Sequence, residues 1–214
     1  DAEKIARRSK GKQIAVHPEA FTLFSAEDLK IPGTHNYKNA VMAGSVALYM
    51  GCPPDAVHRA ACSFRGLPLR LQRIRSIGNI IFYNDSAATN PHATAAAVSS
   101  FAAPTVLIAG GRDKGFSYTI LEKALPRSSV RHVVAMGENS SVIERFCMKG
   151  AISVTSVQSL EQAVQAAWRY ALQQQKKNEK WNILFSPGAA SFDMFAHYKE
   201  RGKKFNDIVR RLEV

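Results

Sequence analysis

From residue 79 onward, short apolar runs alternate with stretches whose apolar residues recur at helical spacing. The runs predict strands at Asn79–Tyr83, Thr105–Ala109, Arg131–Met136, Ile152–Thr155 and Trp181–Phe185. The stretches predict helices at Ala93–Phe101, Tyr118–Leu125, Ser140–Met148 and Ser159–Gln175, and a last helix at Phe192–Leu212. This alternation is typical of an α/β fold with a mostly parallel, doubly wound sheet.

The first third of the chain has a different pattern. Gln13–Phe24 predicts a strand or one arm of a hairpin. Apolar residues at helical spacing predict a helix at Asn36–Met50, and the prolines at 53 and 54 predict the start of a second helix that ends at Ser63. Gly66-Leu67-Pro68 is typical of a linker, so we place a domain boundary after residue 66.

Polar residues follow two neighbouring predicted strands. Asp85-Ser86-Ala87-Ala88-Thr89-Asn90 lies between a strand and a helix, where hydroxyls and unpaired N–H groups favour an anion or a ribose. An ordinary helix cap explains these residues equally well. The next strand also ends in a polar loop, Gly110–Gly115. Two such loops predict a crevice at the carboxyl edge of the sheet, where open α/β sheets bind ligands.

Composition limits the class of protein. The chain has 214 residues, of which 46% are hydrophobic and 21% charged, as in globular proteins, and no apolar run is long enough to span a membrane. Cys52, Cys62 and Cys147 lack metal-ligand spacing, which indicates reduced thiols in a cytoplasmic protein. The first residues, Asp1–Arg8, include no Met and no signal-peptide core, so we expect a processed or shortened chain.

The net charge of +12 permits nucleic acid, an anionic membrane or a polyanionic small substrate. The basic residues cluster at 4–12, 65–75 and 199–211, without interleaved aromatic residues or a nucleic-acid-binding motif. We therefore expect most of the charge to be solvated surface, with no nucleic-acid or membrane partner. A basic nucleic-acid-binding domain is the weakest of three hypotheses.

Five motifs occur in a characteristic order. They are GTHNYKNA (33–40), GLPLRLQ (66–72), YNDSAATNP (83–91), GGRDKG (110–115) and SPGAASFDMF followed by YKERGKKF (186–195 and 198–205). Together they resemble the C-terminal half of the Mur ligase family, and the form Asp-Ser-x-Ala-Thr-Asn resembles its D-glutamate-adding members. The resemblance implies a remnant of the central α/β ATP-binding domain at 1–66 and a C-terminal Rossmann-like domain at 67–214.

The resemblance also implies an activity in peptidoglycan-precursor synthesis. ATP, with Mg²⁺, phosphorylates the carboxylate of UDP-N-acetylmuramoyl-L-alanine, and the amine of D-glutamate attacks the acyl phosphate. The expected partners are these small molecules, and the expected state is a monomer. The residues implied to bind the nucleotide are Asn36, Asn39, Arg70 and Asp85. Those implied to bind D-glutamate are Thr89, Lys114, Ser191, Phe192 through its N–H, and Tyr198. No catalytic residue or metal ligand is assigned within this chain.

Physical readings of these residues leave alternatives. Asn36 and Asn39 lie three apart on one helix face and suit a purine edge, but they also suit helix capping. Lys114 suits a carboxylate, but it and Arg112 also suit solvated turn charges. The serines at 186 and 191 are also suited to cap the last helix.

The chain departs from the family pattern at several positions. It contains no G-x-x-x-x-G-K-[ST] phosphate loop, so we expect the chain alone to be inactive. Ala87 stands where the family usually has Lys, Leu69 where it usually has His, and Gln72 where it usually has an acid. These departures favour a second hypothesis, a non-catalytic Mur-ligase-like interaction or scaffold module.

Overall fold

The structure is a computed structural model that describes residue 11 and residues 14–213, which fall into two compact units. The first comprises the described residues up to Lys30 together with Thr34–Arg65. The second comprises Ile31–Gly33 and the described residues from Gly66 onward. The change of unit after Arg65 lies beside the expected domain boundary. Which family domain each unit represents stays a prediction.

The first unit contains both predicted helices, α1 (Thr34–Tyr49) and α2 (Pro54–Ser63). Its small core consists of Phe24, Val41 and Val57, with partly buried residues packed around them. The sparse core matches the small size of the unit, since a short segment buries little apolar surface.

The strand predicted at Gln13–Phe24 was wrong over the described residues. Residues 14–24 contain one 3₁₀ turn, Pro18–Ala20, and no strand, while Gln13 lies outside the described residues. A strand needs a partner for its N–H and C=O groups, and Pro18 lacks an N–H to donate.

The second unit is a six-stranded sheet flanked by helices. Its strands are β1 (Gln72–Ile77), β2 (Ile80–Asn84), β3 (Thr105–Gly110), β4 (Val130–Met136), β5 (Ser153–Val157) and β6 (Trp181–Phe185). Its helices are α3 (Pro91–Val98), α4 (Thr119–Ala124), α5 (Ser140–Lys149), α6 (Leu160–Gln174) and α7 (Tyr198–Arg211), with a 3₁₀ turn at Leu125–Arg127. The sheet order is β1-β2-β6-β3-β4-β5, and all pairs are parallel except β1–β2. The predicted α/β class with a mostly parallel sheet is confirmed.

Strand β6 is the last strand in the chain but lies at the centre of the sheet. All five of its residues are buried, as expected for a parallel strand covered on both faces. Ile183 and Phe185 pack in the cluster that includes α6 and α7, whereas Leu184 packs in the cluster that includes α3, α4 and α5. The sheet is therefore the middle layer of three, with helices on both faces and loops at the ends of its strands.

Two elements differ from the sequence-based prediction. Strand β1 was missed because its arginines obscure the alternation. Arg75 has a structural task there: its Nη1 donates to the carbonyls of Val209 (3.1 Å), Arg210 (2.9 Å) and Leu212 (3.0 Å), at the end of α7.

Helix α7 was predicted to begin at Phe192 but begins at Tyr198. Its cap is His197, whose Nδ1 accepts from the N–H of Glu200 at 3.0 Å. The reading of Ser186 and Ser191 as caps of this helix was wrong. In this unit the other predicted elements are present, β6 with the predicted bounds, and the largest shift is at α3, which ends at Val98 rather than Phe101.

Candidate functional site

Four neighbouring strands, β2, β6, β3 and β4, end at one edge of the sheet, and a loop of small and polar residues follows each. Backbone hydrogen bonds join the loops to one another. They run from Asp85 N to Phe185 O (2.7 Å), Gly188 N to Ala88 O (2.9 Å), Gly110 N to Pro187 O (2.8 Å), Arg112 N to Ala190 O (2.9 Å) and Asn139 N to Gly111 O (3.1 Å). The sheet edge is therefore one continuous loop surface at the position where open α/β sheets bind ligands.

Asp85 is the buried carboxylate at this edge. Its Oδ1 accepts from the N–H of Leu71 at 3.2 Å, and its Oδ2 accepts from the hydroxyl of Ser186 at 2.7 Å. Burial raises the pKa of Asp85 to about 6, against the lowering effect of Ser186, Leu71 and the charge of Arg70. Each oxygen keeps a second lone pair, so a ribose hydroxyl would be a further donor to a carboxylate that the protein already orients.

Arg70 lies in the linker that leads into β1, and its side chain is exposed. The residues on both sides of it, Leu69 (φ 63°) and Leu71 (φ 41°), have left-handed backbone conformations that residues other than glycine rarely adopt. The hydrogen bond from Leu71 to Asp85 and another from Ala87 N to Leu69 O (3.1 Å) hold this strained segment in place. Arg70 is thus anchored on both sides to the loop that contains Asp85.

The bond between Leu69 and Ala87 joins two departures from the family pattern. The positions are distant in the sequence but adjacent in the fold. The side chain of Leu69 also covers Gly202 of α7, where an added Cβ would lie 2.6 Å from Leu69 Cδ2. Two apolar residues therefore occupy one location at which the family resemblance implies two basic side chains.

Two of the five residues expected to bind D-glutamate, Lys114 and Phe192, approach each other on adjacent loops, and a third, Ser191, directly precedes Phe192 in the sequence. The Nζ of Lys114, in the loop after β3, lies 5.5 Å from the ring centroid of Phe192, in the loop after β6. The ring of Phe192 is exposed, whereas its neighbour Ser191 is buried. An ammonium at this position suits a carboxylate, and the Ser191 hydroxyl and the Phe192 N–H are potential donors on the facing loop.

The other two expected residues lie on flanking segments. Thr89 is half-buried in the loop after β2, beside Asn90, whose Oδ1 caps α3 by accepting from Ala93 N at 3.0 Å. Tyr198 is the first residue of α7, and its carbonyl accepts from the hydroxyl of Ser86 at 2.8 Å. Ser86 thus connects the segment of Thr89 to the segment of Tyr198.

Sequence reasoning did not predict the structural role of three buried polar side chains that hold this edge together: Ser186, Asn139 and Arg201. Asn139 accepts from Gly111 N at 2.9 Å and donates to the hydroxyl of Tyr118, which links the loop after β4 to the loop after β3. A polar residue within three positions of the end of a buried strand is the signal that could have identified the first two. No local signal marks Arg201, which lies within α7.

The expected adenine-reading residues, Asn36 and Asn39, belong to the first unit. Both lie in the first turns of α1, Asn36 half-buried and Asn39 exposed. Tyr37 between them packs edge-on against Phe24 (6.4 Å between ring centroids) and donates to Pro18 O at 3.1 Å, which fixes the rotation of the helix.

Within residues 11 and 14–213, no group of three or more His, Cys, Asp or Glu side chains is arranged to hold a metal. The buried carboxylate of Asp85 already holds two protein donors. No helix of this part of the chain is both long and apolar enough to cross a membrane.

A doubly wound sheet with polar loops at its carboxyl edge defines a Rossmann-like ligand-binding domain. The family model for "Mur ligase, glutamate ligase domain" matches residues 69–179. The chain therefore belongs to the Mur ligase family.

Similar curated proteins are UDP-N-acetylmuramoylalanine–D-glutamate ligases. The one from Caldanaerobacter subterraneus subsp. tengcongensis is 37% identical over 193 residues, which cover 89% of this chain and 41% of that protein. The one from Salinibacter ruber is 37% identical over 191 residues, or 89% and 40% of the two chains. The one from Syntrophotalea carbinolica is 34% identical over 213 residues, or 100% and 44%. The chain thus spans about two fifths of the length of these relatives.

Solved structures agree on the fold. UDP-N-acetylmuramate-alanine ligase from Thermotoga maritima superposes with a TM-score of 0.59 at 19% identity, over 85% of this chain and 39% of that one. Folylpolyglutamate synthase from Mycobacterium tuberculosis gives 0.57 at 22% identity, over 75% and 39%. At such identities the likeness concerns the fold alone.

Proposed function

We propose that this chain is the C-terminal part of an ATP-dependent ligase that joins D-glutamate to UDP-N-acetylmuramoyl-L-alanine in peptidoglycan-precursor synthesis. The observation that carries the proposal is the approach of Lys114 to Phe192, beside Ser191, at the carboxyl edge of the sheet. The names of the curated relatives support the choice of D-glutamate.

In this proposal the described loops hold the amino acid. Lys114 pairs with one carboxylate of D-glutamate, and the Ser191 hydroxyl and the Phe192 N–H donate to a carboxylate oxygen. Thr89 and Tyr198 would line the same site. Since the donors lie on loops of a rigid sheet, they would hold the amine in one orientation for attack on the acyl phosphate, and catalysis by this part of the protein is mainly positioning.

Four residues are proposed to bind the nucleotide. Asn36 and Asn39 offer amides to a purine edge, Arg70 offers a charge to the phosphates, and Asp85 accepts from the ribose. ATP supplies the phosphoryl group that activates the acyl substrate. We assign the phosphate loop and the magnesium ligands to a part of the longer protein that precedes these residues, with residues 1–66 as the end of its central domain and 67–214 as its C-terminal domain. We further propose a cytoplasmic monomer.

The second candidate is a non-catalytic interaction or scaffold module. It is favoured by one observation: Leu69 and Ala87, two apolar residues joined by a backbone hydrogen bond, lie beside the Asp85 segment, where the ligase hypothesis expects basic side chains near the nucleotide. In this hypothesis the fold is retained, while the ATP site has lost the two basic side chains that the family resemblance implies at positions 69 and 87.

The test is phosphate release by the full-length protein with ATP, UDP-N-acetylmuramoyl-L-alanine and D-glutamate. The ligase proposal expects phosphate release that requires both other substrates and that L-glutamate and D-aspartate do not replace. Lys123→Ala, an exposed lysine of α4, serves as the matched control for site variants. A cooperatively folded full-length protein that shows no D-glutamate-dependent phosphate release would overturn the ligase proposal and favour the scaffold-module hypothesis.

A further inference from the structure

Arg201 of α7 is a fully buried arginine beneath the loops of the site. Its Nε donates to the hydroxyl of Ser86 (3.2 Å), and its Nη2 donates to the Ser86 carbonyl (3.0 Å). Both Nη1 and Nη2 donate to the carbonyl of Ala189 at 3.1 Å. One guanidinium therefore ties the loop after β2 to the loop after β6.

These two anchor points lie close in sequence to expected substrate ligands. Ser86 precedes Thr89 by three residues, and Ala189 precedes Ser191 by two. A shift of the guanidinium would therefore move both ligands, because each is separated from its anchor by a few bonds of backbone.

The charge of Arg201 is not neutralised by direct pairing. Among the ion pairs of the described residues, none includes Arg201. Burial lowers its pKa to about 10, while the charge of Asp193 acts in the opposite direction, so the guanidinium stays charged near neutral pH. A buried cation that has only neutral acceptors is costly for stability, so its presence calls for a role.

Asp193 is the acid that acts on Arg201. Its Oδ2 accepts from Glu138 N at 3.2 Å, which ties the loop after β6 to the loop after β4. Its Oδ1 is buried and is the atom that lacks a hydrogen-bond partner among the described buried side chains. The pair thus interacts through the electrostatic field, without a direct bond.

Two glycines keep the backbone close to these charges. A Cβ on Gly111 (φ 153°) would lie 3.1 Å from Arg201 Nη1 and 2.3 Å from Ala190 O. A Cβ on Gly137 (φ 77°) would lie 2.4 Å from Asp193 Oδ2. The loops after β3 and β4 therefore pack directly against Arg201 and Asp193. All four loops of the site thus contact one or both of these two side chains.

We propose that Arg201 is a positioning residue for the acidic amino-acid substrate and that Asp193 moderates the positive potential that Arg201 creates at the site. The inference rests on the proposed D-glutamate site. Arg201 orients the loops of Thr89 and Ser191, and its incompletely neutralised charge favours a ligand with two carboxylates.

The experiment compares steady-state kinetics of the full-length wild-type protein, Arg201→Lys, Arg201→Met and Asp193→Asn. Arg201→Met should raise the KM for D-glutamate about tenfold or more, because a charge that favours this ligand is lost. The KM for ATP should rise by less than about threefold, because Leu71 N and the Ser186 hydroxyl still hold Asp85. Arg201→Lys keeps the charge but not the forked geometry, so its KM for D-glutamate should lie between those of the wild type and Arg201→Met. Lys203→Met, on the exposed side of α7, is the matched control and should change neither KM.

Asp193→Asn gives a prediction of opposite sign. Asparagine keeps an acceptor for Glu138 N but removes the negative charge, so the KM for D-glutamate should fall about threefold, with the larger effect at low ionic strength. This variant decides the question if Arg201→Met does not fold.

Three outcomes would overturn the inference while the ligase proposal stands. They are equal changes of both KM values in Arg201→Met, no difference between Arg201→Lys and Arg201→Met, and an unchanged or raised KM for D-glutamate in Asp193→Asn. A wild-type protein without D-glutamate-dependent phosphate release would overturn the proposed function, and this inference with it.

Discussion

The hydroxyl of Ser186 donates to Oδ2 of Asp85 at 2.7 Å, across 101 positions of sequence. The bond joins the ends of β6 and β2, which are neighbours in the sheet. Thr94 extends the contact, since its Oγ1 lies 3.2 Å from Ser186 Oγ and donates to the Ser186 carbonyl at 3.2 Å. The carboxylate that is expected to meet the ribose is thus held by a buried chain of polar groups.

Asp85→Asn should remove a pH dependence of stability. Because the pKa of Asp85 is raised from 3.8 to about 6, the folded protein binds this proton more tightly than the unfolded chain does. The resulting stabilisation is complete below about pH 4 and is lost as the pH rises through about 6, a change of about 3 kcal/mol. The free energy of unfolding, measured by urea denaturation from pH 4 to 7, should fall less steeply in Asp85→Asn than in the wild type.

The control for this measurement is Asp113→Asn, which replaces an exposed carboxylate that accepts from Gly115 N at 2.9 Å and keeps that acceptor. Its pH profile should follow the wild type. Parallel profiles for Asp85→Asn and the wild type would show that the Asp85 carboxyl titrates alike in the folded and unfolded states.

Lys114→Ala in the full-length protein should raise the KM for D-glutamate about ten- to a hundredfold, because a charged hydrogen bond to a carboxylate is worth about 1.5–3 kcal/mol. The KM for ATP should change little. Steady-state kinetics with each substrate varied in turn provide the test. Equal losses for both substrates would argue that Lys114 is structural or contacts a phosphate.

Ala87→Lys should tighten ATP binding to the full-length protein, measured by titration calorimetry. An added ammonium beside Asp85 and the nucleotide is worth about 1–3 kcal/mol when partly desolvated. Ala102→Lys, which adds the same charge in the exposed loop before β3, at the opposite edge of the sheet, should leave the affinity unchanged. Tight wild-type binding that Ala87→Lys does not improve would indicate that Arg70, Arg73 or Arg112 already supplies the charge.

The 214-residue chain by itself should not hydrolyse ATP. A phosphate loop and Mg²⁺ supply most of the charge stabilisation in phosphoryl transfer, and this sequence contains no phosphate-loop motif. Phosphate release from the purified chain with both other substrates should equal the background of a protein-free mixture. Release above that background would contradict the expectation.

A fragment that begins at residue 66 should fold by itself. The second unit includes the complete sheet and two clusters of buried apolar residues, one on each face. Its urea denaturation, followed by circular dichroism and by tryptophan fluorescence, should give one coincident transition. Non-coincident transitions would mean that the sheet needs the first unit.

Local patterning determined most of the elements and the location of the site. Strand β6 is apolar at every position except Asn182, which predicts burial on both faces, and Asp85 follows β2 directly, which predicts a polar group at the carboxyl edge. These features depend on residues within a few positions of one another, so one sequence is enough to predict them.

Long-range contacts decided the rest. Strand β1 is stabilised by pairing with β2 and by the hydrogen bonds that its Arg75 donates to the end of α7. The sequence of β1 alone indicates neither of these partners. Leu69 meets Ala87 because β1 pairs with β2, and Arg201 reaches both Ser86 and Ala189 because β6 lies beside β2 in the sheet. Hydrogen bonds and buried charges between distant segments depend on strand order, and strand order is a property of the assembled sheet.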